Sequence, residues 1–156
     1  MKRFEYIGDD TAIKVEEIDD YLKLAPLFKE SGLEVKVEGP APEHLVTCWK
    51  AEDEYGVLIG GVSVENKVGV YTIGDIAVSQ RYREKRVGEK LLITAMSKIK
   101  ELGGTEIYIV AKAPKFFEKY GFGYITREEA PDFTNCLKCE QFQVSCFPEL
   151  MKFKGL

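Results

Sequence analysis

The sequence has a single histidine, His44, and no stretch approaching the ~20 consecutive apolar residues that cross a bilayer. His44 falls at the start of an expected strand and reads as exposed, without a catalytic part. The opening residues, MKRFEYIGDD, lack the apolar core of a secretory signal, so a cytoplasmic protein is expected. Internal repeats, low-complexity tracts and a dividing linker are missing as well, which leaves one domain over 1–156. Positive charge is in short supply: 22 Lys and Arg against 26 Asp and Glu give a net charge of −4. Binding driven by phosphate neutralisation needs the opposite balance, so neither nucleic acid nor membrane is an expected partner. What is present is ordinary globular composition, 45% hydrophobic and 31% charged, enough to bury a core and too apolar for disorder.

Apolar spacing predicts the elements. Tyr21, Leu24, Leu27 and Phe28 recur at helical intervals within 16–33. Asp19 or Asp20 is placed to cap that helix, Gly32 to end it, and Pro26 to kink or break it. Residues 44–53, 55–66 and 69–79 read as three strands joined by tight turns, an antiparallel meander. The clearest helix runs over 86–102, where Val87, Leu91, Ala95, Ile99 and Leu102 form one stripe and Gly103-Gly104 a stop. A buried-type strand (105–113), a short helix opened by Pro114 (114–121) and a strand (122–126) follow, with a last strand at 149–154. This order implies a mixed α/β (α+β) sheet with helices packed on its faces.

The corner between the third strand and the long helix, QRYREKRVGEKLL (80–92), holds three arginines, two lysines and a lone Gly88. The first amides of a helix have no intrahelical acceptor, and the helix dipole adds partial positive charge there. A phosphate can dock on them where no Cβ blocks its approach. Charge and one glycine leave two readings open: a pyrophosphate site, or a solvated helix start that is merely basic.

Two stretches together carry a resemblance. GDIAVSQRYREKRVGEKLL resembles the acetyl-CoA motif of the GNAT superfamily of N-acetyltransferases, Arg-x-x-Gly-x-Gly leading into a helix. Arg83 matches its first position and Gly88 its last, while Arg86 replaces the middle glycine. KAPKFFEKYGFGYI resembles the superfamily's Ala-x-x-Phe-Tyr-Glu-Lys-x-Gly-Phe segment through Ala113, Phe116, Glu118, Lys119, Gly121 and Phe122. The resemblance covers about residues 12–126, a GNAT core over 1–126 followed by a cysteine-bearing loop and final strand over 127–156. It implies that the amides of Arg83, Glu84, Lys85, Arg86, Val87, Gly88 and Glu89 cradle the coenzyme's pyrophosphate. Arg86 serves in this way provided its backbone does not need a positive φ. Ile76, Ala77 and Val78 would pair with the pantetheine arm like an added strand, one amide polarising the thioester carbonyl, with Phe116 and Phe117 beside the coenzyme.

Acetyl transfer to an amine needs a base and a proton for the departing thiolate. Asp75, in the strand beside the expected carbonyl site, is the candidate base; a solvated or turn-capping aspartate is the alternative. The resemblance puts a tyrosine acid at the position of Phe117, which cannot donate. Tyr120, one helical turn on, is then the candidate acid, unless it packs as a rim aromatic. A thiolate of pKa ~8.5 can also leave without an acid, or a tail cysteine can supply the proton.

The tail, NCLKCEQFQVSCFPELM (135–151), brings Cys136, Cys139 and Cys146 together. Cys-x-x-Cys with a third cysteine suits a tetrahedral zinc, its fourth ligand drawn from Cys48, His44, water or a partner. Reduced surface thiols, an oxidised pair or an iron–sulfur centre are the other readings. The tail also resembles that of short GNAT proteins related to N-acetylglutamate synthase, which implies a small amino acid as acceptor. The expected function is thus acetyl transfer from acetyl-CoA to the amine of a small molecule or a protein, in an enzyme that GNAT habit makes a candidate homodimer. The competing expectations are a non-catalytic acyl-CoA-binding module and a metal- or redox-sensing one.

Overall fold

A computed structural model describes residues 12–134 and 148–155. Its strands form one mixed seven-stranded sheet. In chain order the elements are β1 (Lys14–Ile18), a 3-10 turn (Tyr21–Lys23), α1 (Ala25–Glu30), β2 (Leu45–Glu52), β3 (Leu58–Lys67) and β4 (Val70–Val78). A second 3-10 turn (Gln80–Lys85), α2 (Val87–Glu101), β5 (Glu106–Ala111), α3 (Pro114–Glu118), β6 (Gly123–Tyr124) and β7 (Glu149–Lys154) complete it. The strand order is β1-β2-β3-β4-β5-β7-β6, with β4 and β5 the parallel pair.

The meander β2–β4, α2 and β5 stand where apolar spacing puts them. The segment 16–33 does not form one helix. Lys14 to Ile18 pair antiparallel with Glu52 to Cys48 as a sheet edge, and the helix is reduced to the 3-10 turn and α1. Pro26 accounts for the late start, since it sits in the first turn of α1, where its missing N–H costs nothing. Gly32 ends the segment at φ 92°. Leu102 also departs from its expected place: it caps α2 and is 44% exposed, while Leu92 joins the buried stripe.

β3 lies inside the sheet and is covered on both faces. Its consecutive glycines point to opposite sides and let a helical segment approach on each. A Cβ at Gly60 would stand 3.1 Å from Leu91 of α2, and one at Gly61 3.0 Å from Leu24 beside α1. Val62, Val64, Ile73 and Val78 pack against Leu91, Ala95 and Ile99 on the α2 face. Tyr21, Leu24, Phe28, Cys48 and Ala77 form the core of the α1 face.

Candidate active site

The site begins as a fault in the ladder between β3 and β4. Ser63 pairs with Asp75 but Val64 with Ile73, so Gly74 is an extra residue, a β-bulge that bends β4. β4 meets β5 in a single pairing, Thr72 with Tyr108, and the two parallel strands then separate. Between them opens a cavity of about 840 Å³, walled by β4 from Ile73 to Val78 and by Ile109 and Val110 of β5. The edge of β4 that would have bonded to β5 faces this cavity.

At one end lies the start of α2. Arg86, its N-cap residue, makes no side-chain capping bond, so the first amides of the helix receive no cap from it. Gly88 and Glu89 line the cavity there. The nearest atoms to a Cβ at Gly88 would be those of the Phe116 ring and Val78, at contact distances of 3.4 and 3.7 Å. The basic corner before the helix is a 3-10 turn tied down at both ends. The Ser79 amide donates to the Ile59 carbonyl (2.7 Å) and the Tyr82 hydroxyl to Asp53 Oδ2 (3.0 Å). Arg83 Nε donates back to the Val78 carbonyl (3.1 Å), and the Arg86 guanidinium is paired with Glu89 (Nε to Oε1, 2.7 Å; Nη2 to Oε2, 3.1 Å). Arg86 has φ 63° and ψ 21°, the left-handed region where the resemblance places glycine.

At the other end Asp75 faces the cavity. Its Oδ2 accepts from the Tyr21 hydroxyl (2.8 Å) and the Ser63 hydroxyl (3.3 Å), and its amide donates to Ser63 Oγ (2.9 Å). Burial raises its carboxyl above the ordinary range, opposed by the two hydroxyl donors. Glu65, on the same face of β3, is pushed up to about 7 by burial and then by the charge of Asp75. The missing side chain of Gly74 makes room for it, since a Cβ there would overlap the Glu65 carboxylate. Lys112 lines the same space and donates to the Gly32 carbonyl (2.7 Å), crossing from the end of β5 to the end of α1.

The fold thus gathers Asp75, Ile76, Ala77, Val78, Arg83, Arg86, Gly88, Glu89, Phe116, Phe117 and Tyr120 around one cavity. Val87 does not join them by its side chain, which is fully buried in the α2 core. Glu84 and Lys85 belong to the 3-10 turn. Phe117 is 6% exposed and packs edge-on against Phe116 and Phe122. Tyr120 packs against Phe116 with its ring tilted (5.2 Å between centroids), and its hydroxyl is raised by burial and by Glu89, with Arg86 opposing. Cys136, Cys139 and Cys146 lie outside the described residues. Among the described residues no group of three or more His, Cys, Asp and Glu could hold a metal. Cys48, one candidate for a fourth zinc ligand, is fully buried, bonds to the Ile18 carbonyl, and is raised to about 11 by burial. Tyr21, Ser63, Glu65, Lys112 and Lys119 were not named from the sequence as site residues. Only Lys119, inside the second motif, carried a local signal.

A mixed sheet parted between parallel strands, with a helix start that receives no cap from its N-cap side chain at one end of the gap and a buried carboxylate at the other, defines a deep cleft in an α/β fold. The chain belongs to the GNAT acetyltransferase family, whose description matches residues 11–122. No curated protein matches the sequence. Among solved structures, a GNAT acetyltransferase of Staphylococcus aureus Mu50 superposes with a TM-score of 0.71 at 17% identity, covering 92% of this chain and 99% of that one. N-acetylglutamate synthase of Neisseria gonorrhoeae, complexed with coenzyme A and N-acetyl-glutamate, gives 0.70 at 16%, covering 94% of this chain but 36% of that longer one. Tetrahymena GCN5 gives 0.66 at 12%, covering 90% and 95%. At such identities the likeness is one of fold. No described helix is long and apolar enough to cross a membrane.

Proposed function

We propose that the protein transfers an acetyl group from acetyl-CoA to a primary amine by direct attack, with Asp75 as the base. The cleft between β4 and β5 carries this reading: it joins a place for phosphates to a place for a proton. The residues present suit the coenzyme. The amides of Val87, Gly88 and Glu89 at the head of α2 would hold the pyrophosphate, with Arg83, Lys119 and the neighbouring turn adding charge. The free edge of β4 over Ile76, Ala77 and Val78 would bond to the pantetheine amides as β5 does not. When bound, acetyl-CoA supplies an acyl group activated as a thioester.

The protein's own part is to orient and to move protons. Asp75 accepts the proton of the attacking amine, directly or through water, and one of the β4 amides steadies the developing oxyanion. Tyr120 lines the cavity wall, and its hydroxyl, raised and so protonated at neutral pH, would protonate the departing thiolate. A small amino acid in the cytoplasm fits the acceptor side, because Lys112 lines the cavity with Asp75 and offers charge to a carboxylate. The buried Phe117 and the left-handed Arg86 favour the second reading, an acyl-CoA-binding module without turnover.

Native mass spectrometry with acetyl-CoA, followed by an amine panel dominated by amino acids, separates the two. A one-to-one adduct and acetylated product support the enzyme; an adduct with no product across the panel supports the binding module. Gly88→Glu should abolish the adduct and leave the fold intact, since its Cβ meets ordinary contacts and a carboxylate near a helix start stabilises by about 0.3–1 kcal/mol. Asp75→Asn should keep the adduct and lower turnover by about 10²- to 10⁴-fold. The same spectra report the mass of any homodimer.

A further inference from the structure

Asp75 is held between groups that pull its chemistry in opposite directions. On one side stand two hydroxyls. Tyr21 is 3% exposed and reaches across 54 residues of chain from the 3-10 turn after β1 to donate to Oδ2. Ser63, fully buried on β3, is its cross-strand partner and bonds both to Oδ2 and to the Asp75 amide. Both described donors engage Oδ2, and Asp75 lines the cavity. On the other side stands Glu65, brought alongside by the bulge: Gly74 alone separates Ile73, opposite Val64, from Asp75, opposite Ser63. A side chain at Gly74 would push the Glu65 carboxylate away.

We propose that Tyr21, Ser63 and Glu65 are positioning residues that set the orientation and basic strength of Asp75 for proton removal from the acceptor amine. The proposal rests on the reading of Asp75 as the base. Tyr21 and Ser63 stabilise the carboxylate and orient it. Tyr21 cannot surrender that role by ionising, because burial and then the charge of Asp75 raise its hydroxyl far above neutrality. Glu65 does the reverse. Glu65 is pushed up to about 7 by burial and by the charge of Asp75, and once ionised its own charge makes Asp75 a stronger base. The other titratable groups near this point are Cys48 of β2, which faces Tyr21, and Lys112, which lines the cavity beyond β5. Arg83, Arg86, Glu89, Lys119 and Tyr120 also line the cavity, and Tyr120 interacts with Arg86 and Glu89 of the α2 end.

The test is the pH profile of kcat/KM for Tyr21→Phe, Ser63→Ala, Glu65→Gln and Asp75→Asn, each divided by wild type so that the substrate amine's own titration cancels. Loss of the Tyr21 donor should move the acid limb up by roughly one pH unit, a tenfold deficit on the acid side that closes as pH rises. Ser63→Ala should shift it the same way by less, and it covers the case in which Tyr21→Phe fails to fold. Glu65→Gln should match wild type below pH 6 and fall behind it above 7. Carboxyl carbon-13 NMR of the ligand-free protein, assigned with Asp75→Asn, should show the Asp75 titration raised in Tyr21→Phe and reduced to one step in Glu65→Gln. Ratios flat with pH and an unmoved Asp75 titration, in variants beside an inactive Asp75→Asn, would overturn the positioning role and leave the base. A fully active Asp75→Asn would instead sink the reading of the base, and the NMR would still decide whether the four groups are coupled.

Discussion

Arg86 holds φ 63° without being glycine, and the local energies can be set against each other. The left-handed conformation costs a residue with a Cβ about 1–2 kcal/mol. Glycine would remove that strain but add about 0.4–1 kcal/mol of unfolded-state entropy. The exposed pair with Glu89, lost in the same change, is worth about 0.3–0.5 kcal/mol. At the middle of these ranges Arg86→Gly should stabilise by about 0.4 kcal/mol, a rise in Tm of about 1–2 °C by calorimetry. An unchanged or lower Tm would mean that the Glu89 pair and the unfolded-state entropy together outweigh the strain. Coenzyme affinity should hold or improve, because the guanidinium is turned toward Glu89. Residues of this kind divide by their legibility in sequence. Asp75, Gly88 and Phe116 sit in contiguous motifs and could be named from them. Tyr21 and Glu65 could not, since their approach to Asp75 depends on where a bulge falls, and no local pattern announces one.

Elements were legible where one period held over several turns. α2 shows this: Val87, Leu91, Ala95 and Ile99 are all fully buried, as their spacing requires. β1 was illegible because Lys-Val-Glu-Glu-Ile has two apolar residues in five, and its pairing with β2 is an edge contact between distant segments. The stop of α2 was read correctly, and the geometry gives the reason. Gly103 turns at φ 94°, the Gly104 amide closes back on the Ile99 carbonyl (2.9 Å), and a Cβ at Gly104 would strike Ile99 and Tyr71. The bulge of β4 makes the sharpest demand at this scale. Gly74→Ala would drive a Cβ into the Glu65 carboxylate and to within 2.9 Å of Ser63 Oγ, forcing both aside. It should cost about 1–3 kcal/mol by urea denaturation, as other overpacked sites do, and reduce turnover more than coenzyme binding.

For the whole molecule the buried acids set how stability varies with pH. Glu65 titrates near 7 in the folded chain against an ordinary value of 4.5, so between those values the native state holds more proton than the unfolded one. Stability must then fall as pH rises through that window, and Asp75, raised too, acts in the same sense. Asp53 and Glu129, both lowered by backbone donors, act oppositely and lose their contribution only in stronger acid. Tm should therefore be higher near pH 5.5 than near pH 8, and Glu65→Gln should flatten the difference; a curve that climbs across this range would refute the assignment. The α/β class and the run of the meander β2–β4 through α2 into β5 followed from the succession of spacings. The parting of the sheet did not, because it arises from the bulge and from where two parallel strands stop pairing.

That parting has a mechanical side. β1–β4 and β5-β7-β6 are two rafts, and the sheet is sewn between them by one stitch at Thr72 and Tyr108. A coenzyme lying along β4 would be a temporary seam, inserted at the start of each cycle and withdrawn at its end. The rigidity of the protein would then rise and fall with turnover, and hydrogen exchange along the Ile76–Val78 edge would slow and quicken with it.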